Sequence, residues 1–212
     1  MSRHVVLIGD SLFDNTAYVD GGPDVAAQLR EILQPDDRVT LAAVDGSICE
    51  HAVEQLGRCP KDATHVIVSC GGNDILHHAT MLEKPVSTVG SGLALLAEAR
   101  AELEPAHRQM VEAAALLERP VAICTIYDAN MGPLITTAMS IFNDAISRNV
   151  HRANLDLIDL RLVCTEPADY ANPIEPSVVG GWKIAQAIAH YVRSTDAKSA
   201  QTRVFAGSPL IS

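Results

Sequence analysis

The chain has 212 residues, 48% of them apolar and 20% charged, with a formal net charge of −10. That length and apolar content suit one α/β-sized domain with a substantial core, and the acidic balance argues against nucleic acid or an anionic membrane surface as a partner. No apolar run approaches the roughly 20 residues that span a bilayer. Met1-Ser2-Arg3-His4 leads directly into a strand-like run, so no secretory leader is expected. The five cysteines (Cys49, Cys59, Cys70, Cys124, Cys164) are scattered without CxxC spacing, which reads as free thiols in a reducing cytoplasm.

Along the chain, apolar runs at Val5–Ile8, Val39–Val44, His65–Ser69, Val121–Thr125 and Leu155–Leu160 predict strands. Helix-period stretches lie between and after them, near 23–33, 48–57, 90–118, 134–150 and 178–193. This alternation predicts a parallel sheet with helices on both faces, a three-layer α/β/α sandwich. Val66-Ile67-Val68 is apolar on successive residues, as a strand covered on both sides requires. Pro105 predicts a kink or break within 90–118, and Pro120 precedes the next strand. No repeat or domain boundary is visible. Residues 1–193 read as the domain and 194–212, which mixes polar positions with Val204-Phe205 and Pro209-Leu210-Ile211, as a loosely held tail or, alternatively, as a segment that docks on a neighbouring subunit.

Two of the predicted strands end in loops that carry chemistry. Val5-Val6-Leu7-Ile8 runs into Gly9-Asp10-Ser11-Leu12, and Val66-Ile67-Val68 into Gly71-Gly72-Asn73-Asp74. Open α/β sheets place their sites at such carboxyl ends, so Ser11 is a candidate nucleophile and Asn73 a candidate oxyanion donor. Asp10 reads as a loop or cap residue. Each motif is also ordinary turn composition, and it is their order and spacing together that carry weight.

On these residues the chain resembles the GDSL or SGNH hydrolases over roughly residues 4–192. Gly9-Asp10-Ser11-Leu12 stands as the nucleophile block, Gly46 in Val44-Asp45-Gly46-Ser47 as the second and Gly71-Gly72-Asn73-Asp74 as the third. Ile174-Glu175-Pro176-Ser177, with Gly180 and Lys183-Ile184-Ala185 downstream, stands as the closing block. The resemblance implies a flavodoxin-like five-stranded sheet. It also implies that the Ser11 N–H, the Gly46 N–H and the Asn73 amide hold the oxyanion.

The closing block departs from the family's D-x-x-H-P pattern. Glu175 occupies the histidine's place and Asn172 the aspartate's, and none of the eight histidines lies in that block. Three readings are open. Glu175 is the general base, with Asn172 orienting the carboxylate. A histidine arrives from elsewhere, His77 or His78 beyond Asn73, or His51 beyond Gly46. Or catalysis is lost and the pocket of a non-catalytic protein binds a small molecule. A free Glu lies about 2 pK units below a free His, so the first reading needs burial to raise it.

Other motifs are set aside. Gly21-Gly22-Pro23 and Gly71-Gly72 match neither dinucleotide nor P-loop fingerprints, and no metal-ligand spacing appears. Tyr127-Asp128-Ala129-Asn130 is read as a loop over the same sheet edge, and Trp182 as a packing residue. The expectation is a cytoplasmic serine esterase without cofactor, acting on small carboxylic or acetyl esters, with a homo-oligomer possible.

Overall fold

The computed structural model describes residues 2–207. A parallel sheet runs in the order β2-β1-β3-β4-β5-β6. Its strands are β1 His4–Gly9, β2 Arg38–Leu41, β3 His65–Ser69, β4 Val121–Cys124, β5 Asp156–Ile158 and β6 Val204–Phe205. The α-helices are α1 Val25–Ile32, α2 Cys49–Gly57, α3 Gly72–Leu76, α4 Val89–Ala115, α5 Pro133–Arg152 and α6 Val178–Ser194. The side-chain period of two divides β1 between two cores. Val5 and Leu7 join α1 and α6 on one face. Val6 and Ile8 join α2, α4 and α5 on the other.

The sheet has six strands, not the five expected. The sixth comes from the segment read as a loose tail, where Leu157 pairs with Val204 and Ile158 with Phe205. A two-residue strand carries no readable pattern. Leu157 N and Asp159 N donate to Arg203 O and Phe205 O, both at 2.8 Å, and side chains reinforce the attachment: Phe205 meets the buried Tyr191 ring edge-on at 5.1 Å, and Arg203 Nη2 lies 2.7 Å from Asp156 Oδ2. Of the tail's apolar residues that suggested docking on a neighbouring subunit, Val204-Phe205 pair within this chain's own sheet and Pro209-Leu210-Ile211 lie outside the described residues.

Helix α4 runs through Pro105 without a break, so of the expected kink or break the second does not occur. Pro105 and Ala101, the residue whose carbonyl loses its i+4 donor, are both exposed, so water can serve the freed carbonyl. No helix among the described residues is long and apolar enough to cross a membrane.

The strand order reverses between β1 and β3. Their carboxyl ends therefore open a crevice, and this is where Ser11 and Asn73 emerge. At the end of β1 the backbone is pressed tightly against β3: Gly9 has φ +133°, and a Cβ there would stand 1.7 Å from the Ser69 carbonyl oxygen. Gln55 of α2 braces the same point. Its amide nitrogen donates to Gly9 O at 3.0 Å and its amide oxygen accepts from Gly9 N at 2.7 Å.

Candidate active site

Ser11 sits one residue beyond the β1 turn, in a loop closed by Phe13 N and Asp14 N donating to Asp10 O. Its hydroxyl donates to Glu175 Oε1 at 2.9 Å across 164 residues of sequence. The closing block is fixed from both sides. Asp169 is fully buried, with its carboxylate 2.7 Å from Lys183 Nζ, and its carbonyl accepts from Ser177 N at 2.8 Å. Gly180 is required by this packing, since a Cβ there would come within 2.1 Å of the Asp169 carbonyl oxygen. Asn15 ties the block to the nucleophile loop: its amide donates to Pro176 O at 3.3 Å and its oxygen accepts from Val25 N at 3.0 Å.

Asn172 holds the backbone of this block. Its side-chain oxygen accepts from the N–H groups of Ile174 and Glu175, both at 2.9 Å. The amide does not reach the Glu175 carboxylate, so the expected carboxylate-orienting contact is absent. An Asx turn satisfies two loop N–H groups at once, and that local demand captures the side chain.

Asn73, on α3, donates to Ser47 O at 2.9 Å and lines the same cavity as Ser11 and Glu175. An amide carries two N–H donors, so one remains for a ligand. Gly46 has φ +77°, and a Cβ there would meet nothing within 4 Å. It stands in the loop whose Ser47 carbonyl Asn73 holds, outside the residues that form the cavity wall. The Ser11 and Gly46 N–H groups have no acceptor among the described residues.

The histidine alternatives lie elsewhere. His78 Nε2 is 3.4 Å from Glu102 Oε2 on α4, and His51 Nδ1 accepts from Ile48 N at the start of α2. Among the described residues, no histidine, lysine or arginine lines the cavity. Asp159 is paired with Arg161 and accepts from Thr125 Oγ1. Trp182 is likewise absent from the wall.

The cavity has a volume of about 100 Å³. Its walls are largely apolar, with Leu76, Ile126, Tyr127, Met131, Met139 and Ile174 among them. The loop after β4 thus contributes directly, and Tyr127 is locked in place by donating its hydroxyl to Ile174 O. Two carboxyl groups stand in this setting. Burial pushes Glu175 up to about 7, opposed by the Ser11 hydrogen bond and helped by the Asp45 charge. Burial likewise pushes Asp10 up to about 7, opposed by the Leu12 N–H and helped by the charges of Glu175 and Asp74.

Sequence reading missed Gln55, Asn15 and the full role of Asn172. All three act through backbone groups far away in sequence or hidden inside a turn, and no residue pattern advertises them. Among the described residues one cluster of ligand-type atoms occurs, Cys49, Cys70 and Asp74, within 4.8 Å of one another. Two of its members already have structural partners: Asp74 accepts from Cys49 N, and Cys70 Sγ donates to Ser47 O at 3.6 Å.

The model of the GDSL-like lipase/acylhydrolase family matches residues 7–180. The chain belongs to this family. Several solved structures share the fold at low identity. An extracellular lipase from Streptomyces rimosus has a TM-score of 0.64 at 16% identity, covering 92% of this chain and 100% of its own. The esterase EstA from Pseudoalteromonas sp. has a TM-score of 0.64 at 16% identity, with coverage of 91% and 98%. The acetylxylan esterase Axe2 from Geobacillus stearothermophilus has a TM-score of 0.64 at 17% identity, with coverage of 90% and 94%. Comparison with curated protein sequences finds no match.

Proposed function

We propose that this GDSL protein is a serine esterase in which Glu175 replaces histidine as the general base. The reading rests on the hydrogen bond from Ser11 Oγ to Glu175 Oε1 at 2.9 Å, in a cavity with no histidine among its described walls. A hydroxyl becomes an effective nucleophile when a base takes its proton during attack. Ser11 Oγ bonds to the ester carbonyl carbon while its proton passes to Glu175. The resulting oxyanion is met by the Ser11 N–H and the Asn73 amide, both in the cavity wall, with the unpaired Gly46 N–H in the adjoining loop as the third donor the resemblance implies. Collapse breaks the bond to the alcohol oxygen, which takes the proton back from Glu175. Water then attacks the acyl-enzyme, gives its proton to Glu175, and the acid leaves as Ser11 recovers its hydrogen.

The raised pKa of Glu175 suits this role, because a base titrating near 7 combines a useful ionised fraction with useful proton affinity. Asn172 supports it indirectly, by fixing the backbone that carries the carboxylate. Small carboxylic or acetyl esters are the substrate class, consistent with the acetylxylan esterase among the structural neighbours.

A fluorophosphonate probe tests the reading. The expected result is one covalent adduct that peptide mass spectrometry maps to Ser11; a folded protein that stays unlabelled would identify it as a binder. Asn73→Ala tests the oxyanion assignment separately. Loss of one donor is expected to lower kcat by about 10²–10³-fold with KM little changed, whereas unchanged kcat would reduce Asn73 to a tether for Ser47.

A further inference from the structure

Asp10 directly precedes the nucleophile and lines the cavity, with only 6% of its surface exposed. Its Oδ1 accepts from Leu12 N at 3.2 Å, while Oδ2 accepts no hydrogen bond among the described residues. No described lysine, arginine or histidine forms an ion pair with it, although twelve such pairs occur elsewhere in the molecule. The second carboxyl of the cavity, Glu175, is equally buried, and its Oε2 has no partner. Buried carboxylates are normally paired or fully hydrogen-bonded. Here two share one cavity with open acceptor atoms and no counter-charge.

We propose that the cavity selects esters that carry an alkylammonium group close to the scissile carbonyl, with Asp10 as the residue that recognises the cation. This rests on the esterase reading and names the substrate class of that site. The remaining walls fit an organic cation better than a metal ion. Hard divalent cations require six or more oxygen ligands, whereas Ile126, Met131 and Met139 offer apolar and thioether surface and Tyr127 a ring. Quaternary or substituted ammonium groups are satisfied by that combination of one carboxylate with soft, polarisable walls. The same arrangement disfavours esters bearing a carboxylate, which would meet two acids and no base.

The test uses shape-matched ester pairs that differ only in having nitrogen or carbon at the cationic centre. Acetylcholine is compared with neohexyl acetate for the alcohol side. The p-nitrophenyl esters of betaine and of tert-butylacetic acid are compared for the acyl side. In one pair, kcat/KM of the parent protein should favour the ammonium ester by about tenfold relative to Asp10→Asn, the change expected of one partly screened ion contact. Asparagine keeps the Oδ1 acceptor for Leu12 N, so the loop is preserved. As a second measurement on the parent alone, tetramethylammonium should inhibit neohexyl acetate hydrolysis competitively and tert-butanol should not. Equal ratios in parent and variant for both pairs, or no inhibition by tetramethylammonium, would overturn the assignment of Asp10. Failure to hydrolyse even the neutral esters would instead overturn the esterase reading.

Discussion

Replacing Ser11 with alanine is expected to lower kcat for a p-nitrophenyl acetate substrate by about 10⁴–10⁶-fold, to the residual rate that binding and oxyanion donors supply without a nucleophile. The effect is large because the reaction changes route: water must attack directly, with no acyl-enzyme to divide the barrier. The fold should survive, since the Ser11 hydroxyl makes one side-chain hydrogen bond, to Glu175. KM should therefore move little. The measurement is steady-state kinetics with a burst experiment, in which the parent releases one equivalent of nitrophenol rapidly and the variant none. Turnover retained within tenfold of the parent would remove Ser11 from the chemistry.

Glu175→Gln is expected to cost about 10²–10⁴-fold in kcat, the usual worth of a positioned general base. The parent's pH profile provides an independent reading. A carboxyl base works only when ionised, so activity should rise with pH, reach half its plateau near 7 and stay level above, following the raised pKa of Glu175. The same shift affects stability with a definite sign. The folded pKa lies above the ordinary value, so the contribution of this group is fully present below pH about 4 and is lost as pH rises through about 7. Glutamine cannot ionise. At pH 8 the variant should thus be more stable than the parent, on the order of 1–3 kcal/mol, and the two should converge at pH 4 in chemical denaturation. A faster variant, or one whose stability difference ignores pH, would contradict the assignment.

Much of the architecture was legible because the central strands are covered on both faces. Val66-Ile67-Val68 and Val5–Ile8 are apolar without interruption, and all of these positions are fully buried. The strand-end placement of Ser11 and Asn73 followed from the same logic. Strand β6 was illegible because its two residues owe their place to backbone bonds with β5 and to Arg203, Phe205 and Tyr191, which pair across distant segments. Pro105 does not break its helix because the break rule concerns a carbonyl deprived of its donor, and at Ala101 that carbonyl lies on the wet side of the helix. At the site, Glu175 could be singled out in the closing block from the residues alone, and the structure brings its carboxylate to the Ser11 hydroxyl. The task of Asn172 could not be read there, since an amide two or three residues before a turn serves the backbone as readily as a neighbouring carboxylate. Asp10 was read as a loop residue. Its contact with Leu12 N agrees with that, and its exposure to the cavity depends on the path of β3 and β4.

The glycine contact between β1 and β3 has a consequence for how this site can diversify. Gly9 lets two main chains touch where almost any other residue would hold them apart, and Gln55 clamps the same point. The spacing of the serine and asparagine tips is therefore inherited from strand-to-strand geometry rather than negotiated by loops. The segment from 128 to 132, which places Ala129 and Met131 in the cavity wall, does not set that spacing. It is free to lengthen, shorten or change chemistry, so new specificities can be installed there while the reacting centre keeps its dimensions.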